Sequence, residues 1–131
     1  MEKRYTFTKG ERLCSKIISD RLFTEGISVY SNPFRFVCLP VDYDNDAYPV
    51  KVIFSVPRRN FKQAVKRNLI RRRMREAYRM NKHSFYESVQ KTGSGLALMI
   101  IYIQKDISPF SIIETGIRKG MGKVISKIST G

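Results

Sequence analysis

The chain has 131 residues, 42% of them hydrophobic, and its 25 Lys and Arg against 11 Asp and Glu give a formal net charge of +14. That length holds one compact domain with a small core, without internal repeats or low-complexity tracts, and with short flexible ends expected at about 1–6 and 127–131. No apolar run approaches the roughly 20 residues of a membrane span, and the opening Met1-Glu2-Lys3-Arg4-Tyr5 is not a secretion signal, so a cytoplasmic protein is expected.

In chain order the elements read as follows. Thr8-Lys9-Gly10-Glu11 has capping-box spacing and Gly26 suits a helix stop, so a first helix is expected between them, with Cys14, Ile17, Ile18 and Leu22 on its apolar side. Cys14 and Cys38 read as small buried apolar residues in a reducing compartment. Strands are expected at Ile27–Tyr30 and Phe34–Val41, separated by Ser31-Asn32-Pro33, before an acidic loop at Asp42–Asp46. Val50–Val56 reads as a largely buried strand that Pro57 ends, and a cationic helix follows over about Lys62–Lys82. The apolar run Leu96–Ile103 has the character of a central strand. A second capping box, Ser111-Ile112-Ile113-Glu114, opens a last helix with Ile113, Ile117, Met121, Val124 and Ile128 on one stripe. The order is αβββαβα, an α+β domain with three helices packed on one sheet.

The cationic helix carries the strongest functional signal. At about 100° per residue, Arg67, Asn68, Arg71, Arg72, Arg75 and Arg79 fall within an arc of roughly 140°. Leu69, Ile70, Ala77 and Met80 gather opposite, while Arg73 lies on that apolar side and must snorkel. Stacked guanidinium groups repel one another, a cost that a polyanion removes, and their planar forks match phosphate oxygens. From Pro57 to Lys82 there are 11 basic residues and one acidic residue, against 8 and 7 in the first 56 residues. The charge is therefore a patch, to which Arg58, Arg59, Lys62 and Lys66 contribute, and it points to a nucleic acid rather than a membrane surface. Few base-reading amides lie on this face, so backbone contact is expected, and a DNA major-groove reader is the weaker reading.

The run Phe54-Ser55-Val56-Pro57 through Arg79 resembles the core of bacterial ribonuclease P protein subunits. That family carries Arg-Asn-Arg-x-Lys-Arg-x-x-Arg on a helix shortly after a strand ending in Ser-Val. Arg67, Asn68, Arg72 and Arg75 match, Arg71 stands for the lysine, and Leu69 replaces the middle arginine. Phe23-x-x-Gly26 fits the family's end to its first helix, and the likeness runs from about Phe7 to Ile125. The resemblance implies a ribosomal protein S5 domain 2-like fold, with a mixed four-stranded sheet and a left-handed βαβ crossover. It implies further that a large RNA subunit is catalytic, with magnesium serving the holoenzyme and no cofactor in the protein itself. Its partners would be that RNA and precursor tRNA, whose 5′ leader is removed hydrolytically, with one protein monomer per RNA and no DNA or membrane. A ribosomal-type structural RNA-binding protein remains the alternative from another class.

The protein's own chemistry is sparse. His83 is alone, no metal-ligand spacing occurs, and Asp42, Asp44 and Asp46 lack the glycine and distal glutamate of a calcium loop, so no catalytic or metal-binding residue is expected. Phe23 projects from the first helix with Arg12, Lys16 and Ser19, which suits a base stacked beside cations. The other reading folds its ring under the next strand. In the resemblance this flank bounds a cleft for the leader. Ser19 stands where relatives carry a second aromatic, and Phe34, Phe36 and Phe7 are candidates to supply replacement surface. Asn68 is a candidate to hydrogen-bond a nucleotide or a hydrated metal.

Overall fold

The computed structural model describes residues 11–13, 15–42 and 48–130. Its elements are α1 (Lys16–Glu25), β1 (Ile27–Ser31), β2 (Phe34–Val41), β3 (Val50–Ser55), α2 (Ala64–Gln90), β4 (Gly95–Tyr102) and α3 (Phe110–Thr130). The sheet runs β1-β2-β4-β3, antiparallel except for the parallel β3–β4 pair. The αβββαβα order and the mixed four-stranded sheet are those expected.

Side-chain alternation splits the core into two layers. Phe34, Phe36, Cys38, Val50, Val52, Leu96, Leu98, Ile100 and Tyr102 face α2 and α3. The alternate Val37, Leu39, Val41, Ala97 and Met99 face Leu13 and Leu22 on the α1 side. Both faces are covered, which is why β2 and β4 read as continuous apolar runs. Phe34 and Phe36 are fully buried on the face away from α1, their rings edge-to-face with centroids 6.1 Å apart. They are core residues and form no part of a cleft beside α1.

The crossover has the uncommon hand. In β4, Leu96 turns its side chain toward α2 while its N–H donates to the Pro49 carbonyl, at the head of β3, at 2.8 Å. For an L residue whose side chain faces the viewer in an upward strand, the N–H points right. Seen from α2, β3 therefore lies to the right of β4, and the β3–α2–β4 connection is left-handed, against the usual rule.

Helix ends differ from the sequence reading in instructive ways. Phe7, Thr8 and Cys14 lie outside the described residues, but Glu11 does not cap: α1 starts at Lys16, where Ser15 Oγ accepts from the Ile18 N–H at 3.3 Å. Against the sheet α1 buries Leu22 and half-buries Ile18, while Ile17, expected on the apolar side, is 75% exposed. Gly26 does end α1, by close approach rather than by a left-handed backbone, since an added Cβ would sit 2.5 Å from a Val37 methyl. At α3 the Pro109 carbonyl accepts the first N–H bonds, from Ile112 and Ile113, so Ser111 lies inside the first turn and Glu114 pairs with Arg118 instead. Of its expected stripe, Ile113, Ile117, Met121 and Val124 are buried and Ile128 is half-buried. Residues 127–130, expected in a flexible end, belong to this helix.

Candidate nucleic-acid interface

The α2 helix is 27 residues long and its buried stripe is Ile70, Met74, Ala77, Tyr78, Lys82, Phe85, Tyr86 and Val89. That stripe borders the arginine row instead of opposing it, so Leu69 is only half-buried and Met80 is 49% exposed. The consequence is a division of labour within the row. Arg67, nearest the core, donates through Nη1 to the carbonyls of Phe61 at 2.8 Å and Lys62 at 2.9 Å, bracing the loop that enters the helix. Arg73 snorkels as expected and ends on the Ser108 carbonyl at 2.8 Å. Arg79 forms an ion pair with Glu76, which lowers the carboxyl's pKa through their hydrogen bond. Half-buried Arg71 donates to Oδ1 of exposed Asn68 at 3.0 Å, tying the two side chains together. Arg72 and Arg75 are exposed and make no hydrogen bond or ion pair among the described residues.

Lys82 has left the surface altogether. Its ammonium lies 2.8 Å from Glu11 Oε2 and 2.9 Å from Oε1, with both side chains buried. Tyr78 donates to the Tyr86 hydroxyl, which donates in turn to Glu11 at 2.6 Å. Burial first, then Tyr78 and Glu11, pushes the Tyr86 phenol far above its ordinary range. The network fixes the residues before α1 against α2, and Leu13 N–H bonds the Val52 carbonyl beside it at 3.0 Å. Sequence reading misses it because an acid and a base 71 residues apart carry no local signature.

What stays outward clusters at one end. Arg58, Arg59, Lys62 and Lys66 are exposed in the loop and first turn of α2, and that turn holds no acidic residue. Lys105 joins Asn60, Lys62 and Lys66 around a shallow depression there. The positive end of the helix dipole adds to the same field. The single histidine, His83, lies about 24 Å farther along α2 from Arg67 at 1.5 Å per residue. Among the described residues no group of three or more His, Cys, Asp or Glu could hold a metal ion; Asp44 and Asp46 lie outside them.

Across the sheet, Ser55, Ile101, Arg35 and Tyr30 form one cross-strand row at the end where β3 hands the chain to α2. The row lies on the α1 side, just beyond the strip that Leu22 covers. Phe23 is 70% exposed, so it is not folded under a strand, and helical spacing puts it on one flank of α1 with Lys16 and Ser19. Arg12 is not on that flank. It precedes the helix and bridges in parallel to Val52 at the β3 edge. The positions singled out from sequence thus resolve into an outward cationic end, an exposed aromatic flank, and several side chains spent on holding the fold.

The family model described as Ribonuclease P matches residues 7–125. A ribonuclease P protein component of Porphyromonas gingivalis is 27% identical over 124 residues, 95% of this chain and 90% of its own length. One from Petrotoga mobilis is 39% identical over 82 residues, 61% of this chain and 64% of its own. Among solved structures, the Staphylococcus aureus RNase P protein superposes with a TM-score of 0.66 at 19% identity, covering 87% of this chain and 94% of that one. The RNase P protein from Thermotoga maritima gives 0.60 at 21%, covering 89% and 96%. At such identities the two structures speak to the fold.

Proposed function

Because the chain belongs to the ribonuclease P protein family, we propose that its outward cations hold the catalytic RNA subunit while the α1 flank receives the 5′ leader of precursor tRNA. The observation that carries this reading is the placement of the cations. Of the basic segment, Arg67, Arg73, Arg79 and Lys82 are engaged within the protein, whereas Arg58, Arg59, Lys62, Lys66, Arg72 and Arg75 are exposed without a partner among the described residues. Among the described residues, Asp106 is the one acidic residue beside the Lys62, Lys66 and Lys105 depression, and the excess of cations around it suits phosphate contact.

In this reading the protein supplies binding and orientation. Arg72 and Arg75 neutralise RNA phosphates, Arg71 and Asn68 act as a preset pair for a nucleotide, and Arg67 holds the loop bearing Arg58, Arg59 and Lys62. Phe23 stacks a leader base, with Lys16 near its phosphates. No protein group moves a proton in the cleavage step: His83 stands far from the cationic end, and hydrolysis of the phosphodiester with its magnesium belongs to the RNA.

Phe23→Ala tests the leader contact. Stacking is worth about 1–3 kcal/mol per base, so the assembled ribonucleoprotein should bind precursor tRNA with a leader of several nucleotides roughly 5- to 150-fold more weakly. Mature tRNA should bind unchanged, and the thermal melt of the protein should barely move because the ring is already in solvent. Equal losses for both tRNAs would remove Phe23 from the leader path.

A further inference from the structure

We propose that Tyr30, supported by Arg35, is a second stacking platform that carries the single-stranded leader from α1 onto the open face of the β1–β2 hairpin. This rests on the reading of the α1 flank as the leader's entry and adds a binding residue to it. Tyr30 is 59% exposed in the interior of a strand, where its neighbours Val29 and Ser31 are buried. An aromatic ring left in solvent on a sheet face has forgone the burial that would ordinarily stabilise it, and exposed aromatics on rigid strands are what single-strand binders present.

The neighbours fit a nucleic acid. Tyr30 is paired across the hairpin with Arg35, on the same face. Arg35 donates through Nε and Nη2 to Ser28 Oγ, at 3.3 and 3.0 Å, which lays the guanidinium along the sheet surface. Its remaining N–H groups suit a phosphate, and its plane suits a base. The backbone under the ring is fixed from behind, since Lys123 Nζ donates to the Tyr30 carbonyl at 2.6 Å. Ile101, half-buried, and Ile103, exposed, continue an apolar floor beside the pair.

The spacing is also suitable. Phe23 sits one turn before Gly26, whose Cα packs on Val37, and Val37 pairs with Ser28. Tyr30 is the next residue on that face, about 7 Å along the strand. A single strand passing the Gly26 end of α1 toward the cationic end of the sheet therefore meets Tyr30 and Arg35 next. Since Ser19 offers no ring on α1, this platform gives the chain a second aromatic by a different route.

The test uses the ribonucleoprotein assembled with ribonuclease P RNA and precursor tRNAs bearing leaders of one, two, four and eight nucleotides. Tyr30→Ala should weaken binding at least about 5-fold for the longer leaders and leave the one-nucleotide leader and mature tRNA at wild-type affinity. Tyr30→Phe should retain wild-type affinity, because stacking needs the ring and not the hydroxyl. Phe23→Ala is run alongside. If it weakens leader binding while Tyr30→Ala does not, the platform is overturned and the α1 flank stands. If neither variant affects leader binding, the flank reading itself fails. A uniform loss across all leaders and mature tRNA, or a lowered melt of Tyr30→Ala, would mean that Tyr30 supports the fold, and the platform is again overturned.

Discussion

At the scale of single residues, the chain's charges fall into two populations that composition cannot distinguish. Glu11 and Lys82 are a buried pair completed by Tyr86, and removing one partner strands the other without water. Lys82→Met should therefore lower stability by about 3–5 kcal/mol in urea denaturation, yet leave the salt dependence of RNA binding at its wild-type slope. A fall in that slope would mean that Lys82 reaches the RNA. Cys38 is similarly withdrawn: burial pushes its thiol up to about 11, so thiol reagents near pH 8 should leave it unmodified in the native protein. Phe23 and Tyr30 are the reverse case, large apolar residues kept in solvent. Phe23 is legible in sequence through its place on α1. Tyr30 is not, because alternation along β1 does not say which face a helix will leave open.

At the scale of elements, the strands and α3 are legible because their apolar periodicity is strong, and α2 is legible only in its first two-thirds. After Lys82 the polar residues His83, Ser84, Glu87 and Ser88 dilute the pattern, although Phe85, Tyr86 and Val89 continue the buried stripe to Gln90. The start of α1 is misread because the Thr8–Glu11 spacing mimics a cap, whereas Glu11 answers to a partner on α2. The arginine row is legible as one face, but its tilt toward the core is not, and that tilt divides it into bracing and outward side chains. Arg72→Ala with Arg75→Ala should accordingly flatten the slope of log affinity against log salt for RNA assembly by about 0.7–0.9 for each phosphate no longer neutralised. Replacing the exposed Lys91 and Lys119 should change it far less. Comparable changes from both pairs would assign RNA binding to diffuse charge. The α3 interface makes its own forecast. A Cβ on Gly120 would sit 2.1 Å from the Phe36 ring, so Gly120→Ala should cost about 1–3 kcal/mol in a thermal melt, without altering the RNA salt slope.

For the whole molecule, the left-handed crossover decides which face α2 covers: it packs on the face opposite α1. Strand direction puts the first turn of α2 at the end of the sheet where β3 finishes, beside the half-buried Ser55, Ile101 and Arg35 and the exposed Tyr30. In the proposed reading, the domain holds a folded RNA with one surface and a single strand with the adjoining one. No helix among the described residues is long and apolar enough to cross a membrane. The measurement that tests the account most directly is cleavage of precursor tRNA at a low magnesium concentration by ribonuclease P RNA alone, by the protein alone, and by the two together. The account predicts an inert protein, a poorly active RNA, and efficient release of the 5′ leader by the mixture, because the cationic end offsets phosphate repulsion that magnesium must otherwise screen. Cleavage by the RNA-free protein, or a magnesium requirement unchanged by adding it, would contradict the account.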